Sequence, residues 1–358
     1  MFHTAGSHRS RTVIAAVLAL LLALVTVVPA DPIGAQPKRE LTVMSQNLYL
    51  GASLDAAAGA GDLNEFLAAV ATIWGTVKFT NFPARSEAVA DSIDEFRPDL
   101  IGLQEVARWT ISGPGTDEGI DFLDVLLDDL DDRGLDYTVA AVSENALIGP
   151  APLVVPCGGP PGVCLITFQD RDVILVNEDT PDLEVFNPQN ALFDAQAVLD
   201  TPVGPLSFDR GWASVDGTLE GKKFRFVNTH LETGQFPAVQ EAQAQEFLDG
   251  PAKVGGAVIA VGDFNSRADG TSTASYGILT QSYFRDAWDT ASGDGFTCCQ
   301  NETLTNSPPD LTSRIDLVLT HAAARAQSAA VIGDQPFQGV PPLYPSDHAG
   351  VVSVVRIH

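Results

Sequence analysis

Asp99-Leu100-Ile101-Gly102-Leu103-Gln104-Glu105 follows Arg97-Pro98, a pair that breaks a helix, and its short apolar run closes abruptly on two polar side chains. It reads as a buried strand whose end reaches a wet rim. The same pattern recurs in both directions along the chain. Leu41-Thr-Val-Met-Ser-Gln-Asn47 is a first strand ending in amides, Phe224–Thr229 runs into His230, and Ala257–Gly262 runs into Asp263. Arg314–Leu319 and Gly350–Arg356 add strands near the C-terminus, and Tyr137–Val142 and Asp172–Val176 read as extended. Helical spacing fills the intervals. Leu63, Phe66, Leu67, Val70, Ile73 and Trp74 recur at helical period after a candidate cap, Asp62, and further helices are expected over Arg85–Phe96, Phe122–Leu130 and Gln240–Leu248. Strands and helices in this mixture predict sheets covered by helices, and polar residues gathered at strand ends are where such scaffolds place a site.

The chain has 358 residues, 45% of them hydrophobic, enough for one large core, and no repeat divides it. Arg9 and Arg11 precede an apolar run from Val13 to Val28 that ends in Pro29-Ala30. That is the layout of a secretory signal peptide over residues 1–30, cleaved after Ala30 or Ala35. At about sixteen residues the run is shorter than the roughly 20 needed to span a bilayer. Residues 31–40 are then expected to form a short linker and 41–358 a single large domain, in a secreted, extracellular protein. The net charge of −26 opposes tight, non-specific binding to duplex nucleic acid, although a metal and a few arginines could still make a positive cleft. Export makes disulfides plausible for the four cysteines. Cys157–Cys164, closing a short Gly/Pro-rich loop, is the favoured pairing, with three connectivities open. Cys298-Cys299 are adjacent. Neither pair has a histidine at finger-like spacing, so no zinc site is expected.

Taken in order, Ser45-Gln46-Asn47, Gln104-Glu105, Asn228-Thr229-His230-Leu231, Gly262-Asp263-Phe264-Asn265, Arg314-Ile315-Asp316 and Ser346-Asp347-His348 resemble the motifs of the endonuclease/exonuclease/phosphatase superfamily over residues 41 to 358. Each motif alone is weak, and Gln-Glu by itself reads as a solvated strand end. The ordered series carries the resemblance. It implies a four-layer α/β/β/α sandwich with the site at one rim, and a hydrolase of phosphodiester or phosphomonoester bonds. Such chemistry needs a cation for phosphate charge, a base for water, and donors for the developing oxyanion. Glu105 suits a hard cation such as Mg²⁺, with Mn²⁺ or Ca²⁺ as alternatives; one metal is expected and two are compatible with the residues. The resemblance puts Asn47 beside Glu105 at the metal and makes Asp347 a further ligand or a water-mediated partner. His348 suits the base, with Asp316 orienting its ring. By the same resemblance Asp263 positions the attacking water or leaving oxygen, Asn265 donates to phosphate, and His230 stabilises the phosphate or protonates the leaving group. Asn228 is a candidate phosphate or loop contact. Arg171 and Arg108 are candidate phosphate clamps, because guanidinium matches phosphate bidentately.

Two segments, Gly51–Ala84 and Ser143–Gln169, look like additions to the minimal scaffold. Their apolar residues, with secretion and acidity, tilt the substrate toward a lipid or small-molecule phosphodiester and allow transient membrane-surface contact. The alternative is a secreted nuclease, with single strands stacking on Trp109 and Phe79. A non-catalytic binding protein on the same fold is a third reading. No obligate protein partner is evident. A serine hydrolase lacks its Gly-x-Ser-x-Gly elbow.

Overall fold

The computed structural model describes residues 39–113, 116–154, 164–281, 283–337 and 342–358. The expected signal peptide, most of the linker, Cys157 and the loop at 158–162 lie outside the described residues. In chain order the elements are β1 (Glu40–Asn47), α1 (Asp55–Ala58), α2 (Leu63–Phe79), α3 (Phe82–Phe96), β2 (Leu100–Gln104), β3 (Arg108–Gly113), β4 (Thr116–Asp121), α4 (Phe122–Asp132), β5 (Tyr137–Leu153), β6 (Cys164–Asn177), β7 (Leu183–Leu192), β8 (Val198–Thr201), β9 (Gly204–Ser207), β10 (Gly211–Leu219), β11 (Lys222–His230), α5 (Pro237–Asp249), β12 (Ala257–Asp263), α6 (Ser275–Thr280), β13 (Arg285–Asp286), β14 (Asp316–His321), β15 (Ala324–Ile332) and β16 (Gly350–Ile357).

Two mixed sheets carry the fold. One runs β15-β16-β1-β2-β6-β3-β4, with β5 also paired to β6; the other runs β13-β14-β12-β11-β10-β7. Strand alternation explains how they stack. Leu41 and Val43 of β1, Leu100 of β2, Ile174 and Val176 of β6, Phe224 and Phe226 of β11, Ile259 and Val261 of β12 and Val318 of β14 share one buried cluster between the sheets. The intervening residues face outward. Met44, Ile101, Leu103, Val173 and Leu175 pack against α2, α3 and α4. Val227, Val258, Ala260, Leu317 and Leu319 pack with Ala244 and Phe247 of α5 and Leu279 of α6. Three apolar gaps between four layers make the α/β/β/α sandwich. At Gly102 the sheets approach so closely that a Cβ would stand 2.3 Å from Val261 Cγ2 and 2.7 Å from Asn228 Oδ1, which is why a residue without a side chain sits there.

The helix signals act locally. The Asp62 side chain accepts from Glu65 N at 3.0 Å and starts α2. α3 stops at Arg97, whose φ is 44°, ahead of Pro98. The two expected additions turn out to be structural. Within 51–84, Trp74 of α2 and Phe82 of α3 are buried, while Leu63 and Phe79 are exposed. The described parts of the second, 143–153 and 164–169, belong to the long paired strands β5 and β6, whose register is broken by three bulges. The strands expected at 137–142 and 172–176 stop short of their real length because the outer parts alternate irregularly and are half exposed, so their periodicity is weak.

Candidate active site

The inward-facing positions that are apolar in mid-strand become polar where the strands end. Val43 gives way to Ser45 and Asn47, Gly102 to Gln104, Ile174 to Asp172 and Asp170, Val261 to Asp263, and Phe226 to Asn228 and His230. All are buried. On the second sheet His230 pairs in register with Asp263, and Asp263 with Asp316, so three reactive side chains stand in one lateral row. The candidate site is thus the polar rim of the inter-sheet core. Backbone geometry turns the chain at that rim: Tyr49, Glu105 and Asn265 have φ of 59°, 55° and 49°, a left-handed conformation that costs non-glycine residues energy and marks positions held by their surroundings.

His348 enters from the opposite sheet. Its Nδ1 lies 2.8 Å from Asp316 Oδ2, and its Nε2 lies 3.8 Å from Asp263 Oδ2. The segment 297–300 splints this pair. Thr297 Oγ1 accepts from the Ile315 and Asp316 amides at 3.2 Å, Ala349 N donates to Thr297 O at 2.7 Å, and Gln300 N donates to Asp347 O at 2.8 Å. Burial works against charge on His348, but Asp316, Asp263 and Asp347 outweigh it and hold its pKa well above the usual imidazole value. His230 behaves oppositely: burial, then Arg210 and His348, push it well below that value. Arg210 Nη1 stands 2.9 Å from His230 Nδ1. Arginine only donates, so Nδ1 must accept and the ring proton sits on Nε2. Of the two roles expected for His230, neutral hydrogen-bond donor fits this environment; a proton-delivering acid does not. Its Nε2–H faces Asp263 Oδ2 at 3.4 Å; Asn265 Nδ2, 3.0 Å from the same nitrogen, is itself a donor and directs a hydrogen to Leu231 O at 2.9 Å.

Glu105 is gripped from two sides: Asn47 Nδ2 donates to its Oε1 at 3.2 Å and Leu50 N to its Oε2 at 2.7 Å. Burial, then the charges of Asp347 and Asp170, push its carboxyl up to about 8. Asp347 and Asp170 are also raised, chiefly by burial, and Asp172 is raised well above the ordinary range by burial and Asp170. The Asn145 side chain, close to both Asp170 and Asp172, lowers each, but neither Asp172 oxygen, nor Asp170 Oδ1, meets it in good hydrogen-bonding geometry. Buried carboxylates that raise one another lack positive charge, and a hard divalent cation fits that deficit. The closely spaced set Asp263, Asp316 and His348 could also hold an ion. Its hydrogen bond at Nδ1, however, suits an acid–base array better than a metal cage.

Several expected contacts take other forms. Asn47 stands beside Glu105 and also brackets Asp263: its Nδ2 donates to Asp263 Oδ2 at 3.2 Å as well, and its Oδ1 accepts from Tyr49 N at 2.8 Å. Asn228 cannot reach phosphate. It is fully buried, accepts from Gln104 Nε2 at 2.7 Å and donates to Leu103 O and Val173 O at 2.8 and 3.0 Å, tying the sheets together. An unpaired buried amide costs about 1–3 kcal/mol, so these three bonds are its role. Arg171 is spent on Val106 O and on an ion pair with Asp121. Arg108 is exposed on β3 with no side-chain partner among the described residues. Trp109 is buried, its Nε1 donating to Leu50 O at 2.9 Å, so it offers no face for a base to stack on.

Four participants, Arg85, Arg210, Asp170 and Asp172, escape the motif reading. Arg85, fully buried, donates to the carbonyls of Leu48 and Pro345 at 2.6 and 2.8 Å and to those of Thr80 and Tyr49, so one guanidinium ties the ends of the Asn47 and His348 segments together. Burial lowers it to about 10. Arg210 and Asp170, 3.6 Å apart, complete the wall behind His230. The inward period of β6, continued from Ile174, would have flagged Asp172 and Asp170; nothing local flags Arg85 or Arg210.

These couplings fix a pH dependence. Above about pH 7 the unfolded chain carries Glu105 ionised and His348 neutral, while the folded metal-free chain gives up the Glu105 proton only around pH 8 and holds the one on His348 well above the usual imidazole range. Stability is therefore lost as pH rises through that window, and His230, neutral in both states there, adds nothing. Metal-free protein should show a thermal midpoint that falls from pH 7 to 8.5, and a midpoint that stays level or rises would contradict the assignment.

Residues 44–348 match the model of the Endonuclease/Exonuclease/phosphatase family, and the chain belongs to that family. No curated protein is matched. Solved structures of similar fold include an endonuclease/exonuclease/phosphatase family protein from Bacteroides thetaiotaomicron, with TM-score 0.55 and 17% identity over 89% of this chain and 95% of that one. Truncated TDP2 from Caenorhabditis elegans gives a TM-score of 0.52 and 19% identity over 89% and 99%. The mannosyl-6-phosphatase of Bacteroides thetaiotaomicron gives 0.52 and 18% over 88% and 99%.

Proposed function

We propose that this family member is an exported, divalent-metal-dependent hydrolase of phosphodiesters whose alcohol portion is apolar, a lipid or small molecule. The observation that carries the hydrolytic reading is the Asp316–His348 pair facing a buried nest of carboxylates. A cation held by Glu105 and Asp347, with Asn47 fixing Glu105, would neutralise phosphate charge and lower the pKa of bound water. His348 Nε2 is the proton acceptor. The carboxylate neighbours of His348 keep it charged in the metal-free protein, and positive charge held beside Glu105 and Asp347 would offset them and favour the neutral base. Asp316 fixes the ring through Nδ1, so the accepting nitrogen faces Asp263 and the water that Asp263 positions. His230 and Asn265 supply donors to the phosphoryl oxygens, and Arg210 keeps His230 in the donating tautomer.

The preference for an apolar alcohol rests on the wall behind Glu105. The Leu50 peptide donates to Glu105 on one side and accepts from Trp109 on the other, and Trp109 lines a wholly apolar cavity of about 50 Å³ with Phe66, Val70, Ile73, Ile148 and Phe168. On the nearby strand β5 Leu147 is 63% exposed and Val154 follows at 62%, apolar side chains suited to a lipid surface. Acidity of the whole chain opposes a polyanionic substrate.

With bis-(p-nitrophenyl) phosphate and Mn²⁺, Glu105→Gln and His348→Ala should each lose about 100-fold or more in turnover. Asp316→Asn should in addition move the acid limb of the kcat/KM profile to lower pH, since His348 loses the carboxylate that raises it. Wild-type-like rates, or an unmoved acid limb in Asp316→Asn, would remove His348 from the base role. On a panel of sphingomyelin and phosphatidylcholine vesicles, small aryl phosphodiesters, plasmid and single-stranded DNA, turnover should favour the lipid and aryl substrates. Cleavage of DNA with vesicles left intact would replace this substrate class with the nuclease reading.

A further inference from the structure

Cys298 and Cys299 are joined as a disulfide between adjacent residues. Of the described cysteines, Cys164 is also disulfide-bonded, and its expected partner Cys157 lies outside the described residues. The Cys298–Cys299 pair sits on the splint that knits the Asp316 and His348 segments together: the Cys298 backbone bridges both Ser313 and His348. Cys299 is exposed, and its Sγ lies 3.8 Å from Nε2 of His348. The histidine absent from the local sequence of this pair is supplied across the fold by a residue 49 positions away. Ligand atoms of Cys298, Cys299 and His348 all fall within 4.8 Å of one another.

As a disulfide this group offers a metal nothing, because neither sulfur carries charge. As a dithiol it offers two thiolates and an imidazole, a donor set that selects soft or borderline ions such as Zn²⁺ over Mg²⁺ and leaves one position for water. The histidine is already arranged for such a bond. Asp316 holds Nδ1 at 2.8 Å, fixing the ring with Nε2 outward, the carboxylate–histidine arrangement that supports zinc ligation. Nε2 is also the atom that must accept the proton of water, so a metal there removes the base.

We propose that Cys298, Cys299 and His348 form a redox-gated inhibitory site for a soft divalent metal, closed to metal in the disulfide form and able to capture Nε2 of His348 once reduced. The opening step balances with a water-soluble phosphine. The S–S bond breaks, phosphorus is oxidised to the phosphine oxide with the oxygen of one water, and the two sulfurs take that water's protons. Zn²⁺ then displaces those thiol protons to solvent. The proposal rests on His348 as the base, and a cobalt readout separates its failure from failure of that reading.

The experiment uses the mature protein, oxidised and phosphine-reduced, with Co²⁺ and Zn²⁺ as probes. Reduced protein should gain an intense near-ultraviolet thiolate-to-cobalt band that the oxidised protein lacks and that zinc abolishes. A Cys298→Ser/Cys299→Ser double variant, which keeps Cys157 and Cys164, should not gain it when reduced. One equivalent of Zn²⁺ should lower the Mn²⁺-supported turnover of the reduced enzyme by about tenfold or more, against less than about twofold for the oxidised enzyme and for the reduced double variant, each relative to its own rate without zinc. A cobalt band that persists in the double variant overturns the proposal, as does a pair that resists the phosphine in native protein or equal zinc inhibition of both redox forms. A cobalt band confined to Cys298 and Cys299 with turnover untouched by zinc would keep the metal site and remove its inhibitory role along with His348 as the base.

Discussion

The structure turns on an electrostatic deficit. Glu105, Asp347, Asp170, Asp172 and Asp263 are gathered at one end of the inter-sheet gap, out of water, and burial leads the causes that raise each of them. Removing carboxylates from water costs several kcal/mol apiece unless a proton or a cation compensates. Two buried arginines supply part of the compensation. Arg210 stands against Asp170, and Arg85 lies where it lowers Asp347, but both guanidiniums also spend donors elsewhere, on His230 and on main-chain carbonyls. What remains is met by protons in the metal-free protein, and a divalent cation would replace them.

That deficit sits where it does because of how sheets are built. Residues two apart along a strand share a face, so the positions that fill the core between the sheets point at the same gap when they reach its open end. A stripe of Val, Ile and Phe becomes a stripe of Asn, Asp and His with no change of direction. Lateral register then sets His230, Asp263 and Asp316 side by side, and close approach at Gly102 brings Asn228 against Gln104. The apolar core fixes the spacing of the acid–base groups, which is why substitutions deep in the gap, far from any substrate, should be felt in the chemistry.

Much of this was legible in the sequence. The layers followed from the alternation of apolar strands and amphipathic helices, and the residues that meet at the rim followed from polar groups closing those strands. Illegible were the contacts that depend on distant segments. Arg85 looks like any charge on an amphipathic helix, and only the fold shows it turned inward onto carbonyls from 37 and 260 positions away. Asn228 and Arg171 have the chemistry of phosphate ligands, and the fold commits both to internal bonds. Cys299 has no histidine near it in the chain and one beside it in space. Side-chain type showed what each residue could do; tertiary packing decided whether its donors remained free.

On this carboxylate nest a divalent metal would take the place of protons. Calorimetric titration of the metal-free protein with Mn²⁺ near pH 7, in two buffers of different ionisation enthalpy, measures it directly. With Glu105 pushed up to about 8, binding should release about one proton or more per metal, and Glu105→Gln should lose both the binding and the release. Binding without proton release, or binding that survives in Glu105→Gln, would mean that the metal does not replace protons at Glu105.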